Sequence, residues 1–203
     1  MKRSYYANTI KKFLLDLDSI ILGELARHHE FALEELQRNA WIDQIHILKQ
    51  LFEGYTDDAF ILFEYAIPRM GKRVDVVLLI KGFVFVLEFK VGETKYPNYA
   101  MEQALDYSLD LKNFHQQSHH RHIIPIVVAT EAPLVTNTLS SYDDMVYSPL
   151  RANKTNLRAV LDDTVKSLPE RTIDFALWQE SVYKPTPTII EAAQALYRGH
   201  DVS

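Results

Sequence analysis

The run from Arg73 to Val91, RVDVVLLI-KG-FVFVLEFKV, constrains this chain more than any other segment. Two stretches rich in β-branched and aromatic residues flank Lys81-Gly82, a pair suited to a tight two-residue turn. Alternate residues of a strand face opposite sides of its sheet. In the second stretch Phe83, Phe85, Leu87 and Phe89 share one face, while Val84, Val86, Glu88 and Lys90 share the other. Both faces begin apolar, so both are expected to be covered. One of them nevertheless ends in a carboxylate and an ammonium about 6–7 Å apart along the backbone. A charge on a covered strand needs a partner or a metal. In the first stretch, Asp75 shares a face with Val77 and Leu79. Pairing centred on Lys81-Gly82 sets Asp75 opposite Glu88, with both side chains toward the same face. Two adjacent carboxylates repel unless a cation sits between them. Mg²⁺ or Mn²⁺ fits, because such ions take oxygen ligands and keep waters and substrate phosphate in their shell.

The elements around this hairpin place it in an α/β core. Ala59–Ile67 (AFILFEYAI) reads as a strand stopped by Pro68. Tyr99 to His115 returns to helical spacing through Ala100, Ala104, Tyr107, Leu111 and Phe114. Ile123 to Ala129 (IIPIVVA) reads as a strand buried on both faces. The order is strand, strand, strand, helix, strand. Before it, two helices are expected. One carries Ile10, Phe13, Leu14, Leu17, Ile21, Leu22 and Leu25. The other runs from Ala32 to Phe52 with Leu33, Leu36, Trp41, Ile45, Leu48 and Leu51 as its stripe. After it come a short strand at Met145 to Tyr147 and a helix over 156–168 capped at Thr155 or Asn156. An extended YKPTP segment follows, and then a helix over 189–197 closed by Gly199. The 203 residues fit one domain over 1–182, made of N-terminal helices 1–57, a core 58–130 and additions 131–182. A Pro-containing linker and helix, 183–203, follow.

Composition narrows the chemistry. Apolar residues at 47% and charged residues at 24% suit a globular core. Cysteine is absent, which excludes disulfides, zinc fingers of the cysteine type, thiol nucleophiles and iron–sulfur ligation. No long apolar run or signal-peptide pattern is present, so a cytoplasmic protein without a membrane segment is expected. The net charge of −5 argues against nucleic-acid binding through bulk charge. Contact with a phosphate backbone would need a local patch, for which Arg69, Lys72, Arg73 and Lys95 are the candidates, or a bound metal. Tyr96 and Tyr99 are candidate stacking residues. Gln103 and Tyr107, spaced i, i+4, lie on one helical face and can jointly hold a phosphate or a metal-bound water. His115, His119, His120 and His122 cluster, but the SHHRH segment reads as a solvated loop rather than a zinc site.

These residues resemble the PD-(D/E)XK nuclease superfamily. Its Asp on the second core strand corresponds to Asp75, and its Glu-x-Lys on the third to Glu88-Phe89-Lys90. Gln103-Ala104-Leu105-Asp106-Tyr107 resembles the Gln-x-x-x-Tyr helix of the RecB-like branch. The resemblance implies a restriction-endonuclease-like fold, a mixed sheet flanked by helices. It also implies Mg²⁺-dependent hydrolysis of DNA or RNA, with Asp75, Glu88, Lys90, Gln103 and Tyr107 as catalytic residues. Many members add a Glu from the first core helix; here the candidates are Glu53, or Glu64 on the first strand. Glu64 thus joins Asp75 and Glu88 as an expected metal ligand. The stretches IPRMGKRVDVVLLI, LEFKVGE, ALDYSLDLKNFH and YKPTPTIIEAAQALY resemble the amino-terminal region of bacterial Schlafen-like DNA/RNA helicases. That likeness implies a downstream helicase domain as partner and an association with phage defence. The chain itself has no Gly-x-x-x-x-Gly-Lys-Ser/Thr motif for ATP. The competing expectation is a catalytically inactive module of the same fold that binds nucleic acid or protein. A non-nuclease phosphodiesterase or a small-nucleotide enzyme ranks last.

Overall fold

The computed structural model describes residues 3–28 and 34–200. In chain order the elements are β1 (Tyr6–Thr9), α1 (Ile10–Leu15), α2 (Asp18–Arg27), α3 (Glu35–Leu51), β2 (Ala59–Ile67), β3 (Lys72–Ile80) and β4 (Phe83–Lys90). Then come α4 (Asn98–Phe114), β5 (Ile123–Ala129), β6 (Ser141–Asp143), β7 (Val146–Tyr147), β8 (Leu150–Ala152), α5 (Leu157–Ser167), α6 (Phe175–Gln179) and α7 (Pro187–His200). The strands form one mixed eight-stranded sheet of order β1-β2-β3-β4-β5-β7-β6, with β8 also paired to β5.

The hairpin forms as its sequence dictates. Lys81 (φ 52°) and Gly82 (φ 86°) both adopt left-handed conformations, the requirement of a turn that matches strand twist. The β3–β4 ladder runs from Ile80↔Phe83 to Val76↔Leu87, the register that sets Asp75 across from Glu88. β4 then pairs in parallel with β5, from Val84↔Ile123 to Lys90↔Ala129, with α4 as the crossover.

Helices cover both faces. Ile10, Phe13, Ile21, Leu25, Trp41, Ile45 and Leu48 from α1–α3, with Leu157 and Leu161 from α5, pack on the face of Phe83, Phe85, Leu87 and Phe89. Tyr107 and Leu111 of α4 and Trp178 of α6 pack on the face of Val84 and Val86. Among the described residues no helix is long and apolar enough to cross a membrane.

The N-terminal part departs from the expected continuous helix. Tyr6–Thr9 instead pairs antiparallel with β2. The Thr9 side chain accepts a hydrogen bond from Lys12 N and so starts α1. The backbone turns extended at Asp16 (ψ 136°), which ends α1 and places Leu17 outside, 68% exposed. Asp16 gains the Tyr6 hydroxyl, 2.6 Å away, in exchange. In α3, Leu36 is not part of the buried stripe but 81% exposed, and Leu33 lies outside the described residues. Gly199 does not close the last helix, since α7 continues through it to His200. The YKPTP segment is held to the body by a bridge between Tyr183 and His115 and by Lys184 N–H donating to Phe114 O.

Candidate functional site

Two neighbouring strands, β2 and β3, break their alternation at the same level. In β2, Ile61 and Phe63 face the α1–α3 side and Phe60 and Leu62 the α4 side, yet Tyr65 and Ile67 also face α4. The slip falls on Glu64, whose φ is 54°. In β3, Val76, Leu78 and Ile80 face one side, but Val74 joins Val77 and Leu79 on the other. That slip falls on Asp75. The β2–β3 ladder steps from Phe63↔Val76 to Tyr65↔Val74 and skips the level between them. A non-glycine residue in the left-handed region is strained by about 1–2 kcal/mol and persists only where its surroundings over-determine it. Here they do. Arg73 Nη1 donates to the Glu64 carbonyl at 2.7 Å and to Arg3 O at 3.0 Å, and its guanidinium lies 4.2 Å from the Tyr5 ring centre. Trp41 Nε1, from α3, donates to Glu64 Oε1 at 3.0 Å.

Asp75 and Glu88 meet where the β3–β4 ladder stops. Beyond Val76↔Leu87 the Asp75 carboxylate takes over, accepting a hydrogen bond from Phe89 N at 2.8 Å. Glu88 is buried, 5% exposed. Lys90 Nζ stands 3.4 Å from its Oε1, and its Oε2 has no hydrogen-bond partner. A buried carboxylate oxygen left unpartnered costs about 1–3 kcal/mol or more, and such an exception calls for a reason. Lys90 also lies 5.1 Å from the ring centre of Tyr99, which is 59% exposed at the start of α4. Farther along α4, Gln103 Nε2 donates to the Tyr107 hydroxyl at 2.6 Å.

Electrostatics tie these groups together. Burial raises the pKa of Glu88 most, the Asp75 charge raises it further, and Lys90 opposes both. Asp75 is raised by burial, against the pull of the Phe89 N–H and Lys90. Glu64 is pushed up to about 7, by burial first and then by Asp75, with Trp41 and Arg73 opposing. The Tyr107 hydroxyl is pushed up to about 12 by burial and then by Glu88, with smaller contributions from Asp75 and Glu64. Three carboxyls therefore resist ionisation at one locus, first because they are withdrawn from water and then because acids lie near one another. Among the described residues no group of three or more His, Asp or Glu side chains is set in place for a metal. Asp75 and Glu88 are hard oxygen donors of the kind that suits one, and the Oε2 of Glu88 is buried with no hydrogen-bond partner.

The other expected residues divide. Arg69 pairs with Asp110 (3.3 Å) and stacks on Phe114 (3.4 Å to the ring centre), and Arg73 grips backbone carbonyls. Lys72 and Lys95 are exposed. Glu53 is exposed in the turn after α3, so the third acid of the cluster is Glu64. His115 is buried in the core between Tyr65 Oη (3.0 Å) and Ser118 Oγ (2.8 Å), and burial first lowers its pKa to about 3. The roles of Trp41 and Arg73 in fixing Glu64 escape the sequence, which presents them as a core residue and a surface cation.

Fold and site together define an α/β protein whose mixed sheet carries a carboxylate cluster beside a lysine. Comparison with known proteins gives no match to any family, curated protein or solved structure.

Proposed function

We propose that the chain is a metal-dependent nuclease with a restriction-endonuclease-like core, hydrolysing phosphodiester bonds of DNA or RNA. The observation that carries this reading is the unpartnered, buried Oε2 of Glu88 beside the charge of Asp75. Asp75 and Glu88 would hold Mg²⁺ or Mn²⁺, with Glu64 adding negative charge. When bound, the ion supplies a Lewis acid toward a phosphoryl oxygen and a water of lowered pKa. Lys90 holds a positive charge next to Glu88 and stabilises the charge that develops on the phosphoryl group. Gln103 occupies an acceptor position of the Tyr107 hydroxyl, so that hydroxyl keeps its own O–H to donate toward the carboxylates or a phosphate oxygen. The resemblance of the motifs adds a helicase domain as the neighbour that would feed strands to this site.

The test is cleavage of single- and double-stranded DNA and RNA with Mg²⁺ or Mn²⁺, comparing the native chain with Asp75→Asn and Lys90→Ala. Metal-dependent cutting that falls at least about 100-fold in both variants, with unchanged circular dichroism, supports the proposal. Equal behaviour of the three proteins on every substrate discards it in favour of a non-catalytic binding module.

A further inference from the structure

A polar concavity lies at the opposite end of the sheet from the carboxylates. It measures about 620 Å³ and is lined by Gln116, Gln117, His120, Arg121, Arg171 and Thr172. Arg171 is tied to the β3–β4 turn, its N–H donating to Lys81 O at 2.9 Å, and Arg121 sits just before β5. The acids lie at the other end of β3 and β4, roughly 20 Å away along strands of this length. The concavity is therefore no extension of the site above.

Its two arginines are held by a reciprocal brace. Arg121 Nη1 donates to Thr172 O and Arg171 Nη1 donates to His120 O, each at 2.7 Å. The main chain of Arg171 is fixed as well. Gly82 lets it approach so closely that a Cβ there would stand 2.4 Å from Arg171 O. Among the described residues neither arginine forms an ion pair with a carboxylate. Two acids nearby in sequence or space are taken, Glu170 by Lys81 at 3.1 Å and Asp144 by Lys112 at 3.6 Å. After burial, the Arg171 charge is the next cause lowering the pKa of both Arg121 and His122. A guanidinium has five N–H donors, and a single carbonyl leaves most of them free. In a chain of net charge −5, two neighbouring cations without acids make a local positive potential that favours an anion. The planar fork of Arg matches a phosphoryl group better than any other side chain does.

We propose that Arg121 and Arg171, with Gln117 and His120 on the wall, bind a phosphoryl group at a site separate from the carboxylate cluster. The group is either a backbone phosphate of a nucleic-acid strand or the terminal phosphate of a nucleotide. The site stands whether or not the acids cut phosphodiesters.

The experiment is an NMR titration of the full, metal-free chain with inorganic phosphate, at constant ionic strength held with chloride. The expected result is saturable shifts of the 116–122 and 170–173 amides, at least about ten-fold weaker in Arg121→Lys and Arg171→Lys, which keep the charge but lose the fork. Asp75→Asn binds as the native chain does, which separates this site from the nuclease reading. A second arm compares oligonucleotides with and without a 5′-phosphate. Equal shifts from both assign a backbone phosphate, and shifts from the phosphorylated one alone assign a terminal phosphate. Shifts that fail to saturate by about 20 mM phosphate, or that chloride reproduces, overturn the proposal. Full affinity in both folded lysine variants overturns it too. If either variant does not fold, the native titration of phosphate against chloride decides alone.

Discussion

Glu64 holds a backbone conformation that L residues seldom adopt, and it does so with a half-buried acidic side chain. Its pKa is raised from the usual carboxylate value to about 7, so the folded state binds its proton more tightly than the unfolded state does. The linkage then has a definite sign. The unfavourable charge is absent below the unfolded pKa, near 4.5, and fully developed above about 7. Stability from this residue accordingly falls as pH rises through that window, the reverse of a salt-bridged acid. Glu64→Gln keeps an acceptor for Trp41 Nε1 and removes the charge. Its expected effect is a gain on the order of 2 kcal/mol at pH 8 and little change at pH 4, read from urea unfolding at the two pH values. Equal shifts at both pH values would mean that the Glu64 charge is not strained.

At the scale of elements, the β3–β4 turn anchors the segment that carries Arg171. Gly82 (φ 86°) has Arg171 O where a side chain would begin. Gly82→Ala is expected to cost about 2–3 kcal/mol, partly from the positive φ and partly from the clash, and to loosen the segment that carries Arg171. Denaturation midpoints, with hydrogen exchange at residues 170–173, check both parts. The hairpin was legible in the sequence because Lys81-Gly82 separates two pure strand patterns, and its register followed from the turn. β2, α4 and β5 were legible for similar reasons, each having a clean period and a stop. β1 was not, because Tyr6–Thr9 has no alternation of its own and is a strand only through the edge β2 offers. The break at Asp16 was hidden by apolar spacing that runs through it. The slip at Glu64 and Asp75 was invisible for a deeper reason. A change of face in one strand reads as noise until the neighbouring strand changes face at the same level. The acids were legible as chemistry, while the Trp41 and Arg73 contacts that shape them belong to tertiary structure.

For the molecule as a whole, the sheet separates two charge environments. One end gathers Glu64, Asp75 and Glu88, and the other gathers Arg121 and Arg171. A cation bound to the acids would stabilise the folded state by mass action and would favour their ionised forms. Addition of Mg²⁺ or Mn²⁺ at pH 8 is therefore expected to raise the melting temperature of the native chain by a few degrees, about 1–3 kcal/mol. The rise should shrink toward pH 5 and vanish in Asp75→Asn. Calorimetry at matched ionic strength checks it. A rise that survives in Asp75→Asn would place the ion elsewhere.

The Phe89 amide has an unusual acceptor. Its hydrogen meets the Asp75 carboxylate, where a sheet would ordinarily supply a peptide oxygen. Its proton resonance therefore serves as a built-in meter of that one carboxylate. Protonation of Asp75, or capture of its oxygens by an ion, alters the field at a single assignable nucleus in the middle of the chain. Any change of charge at this locus thus carries its own spectroscopic label.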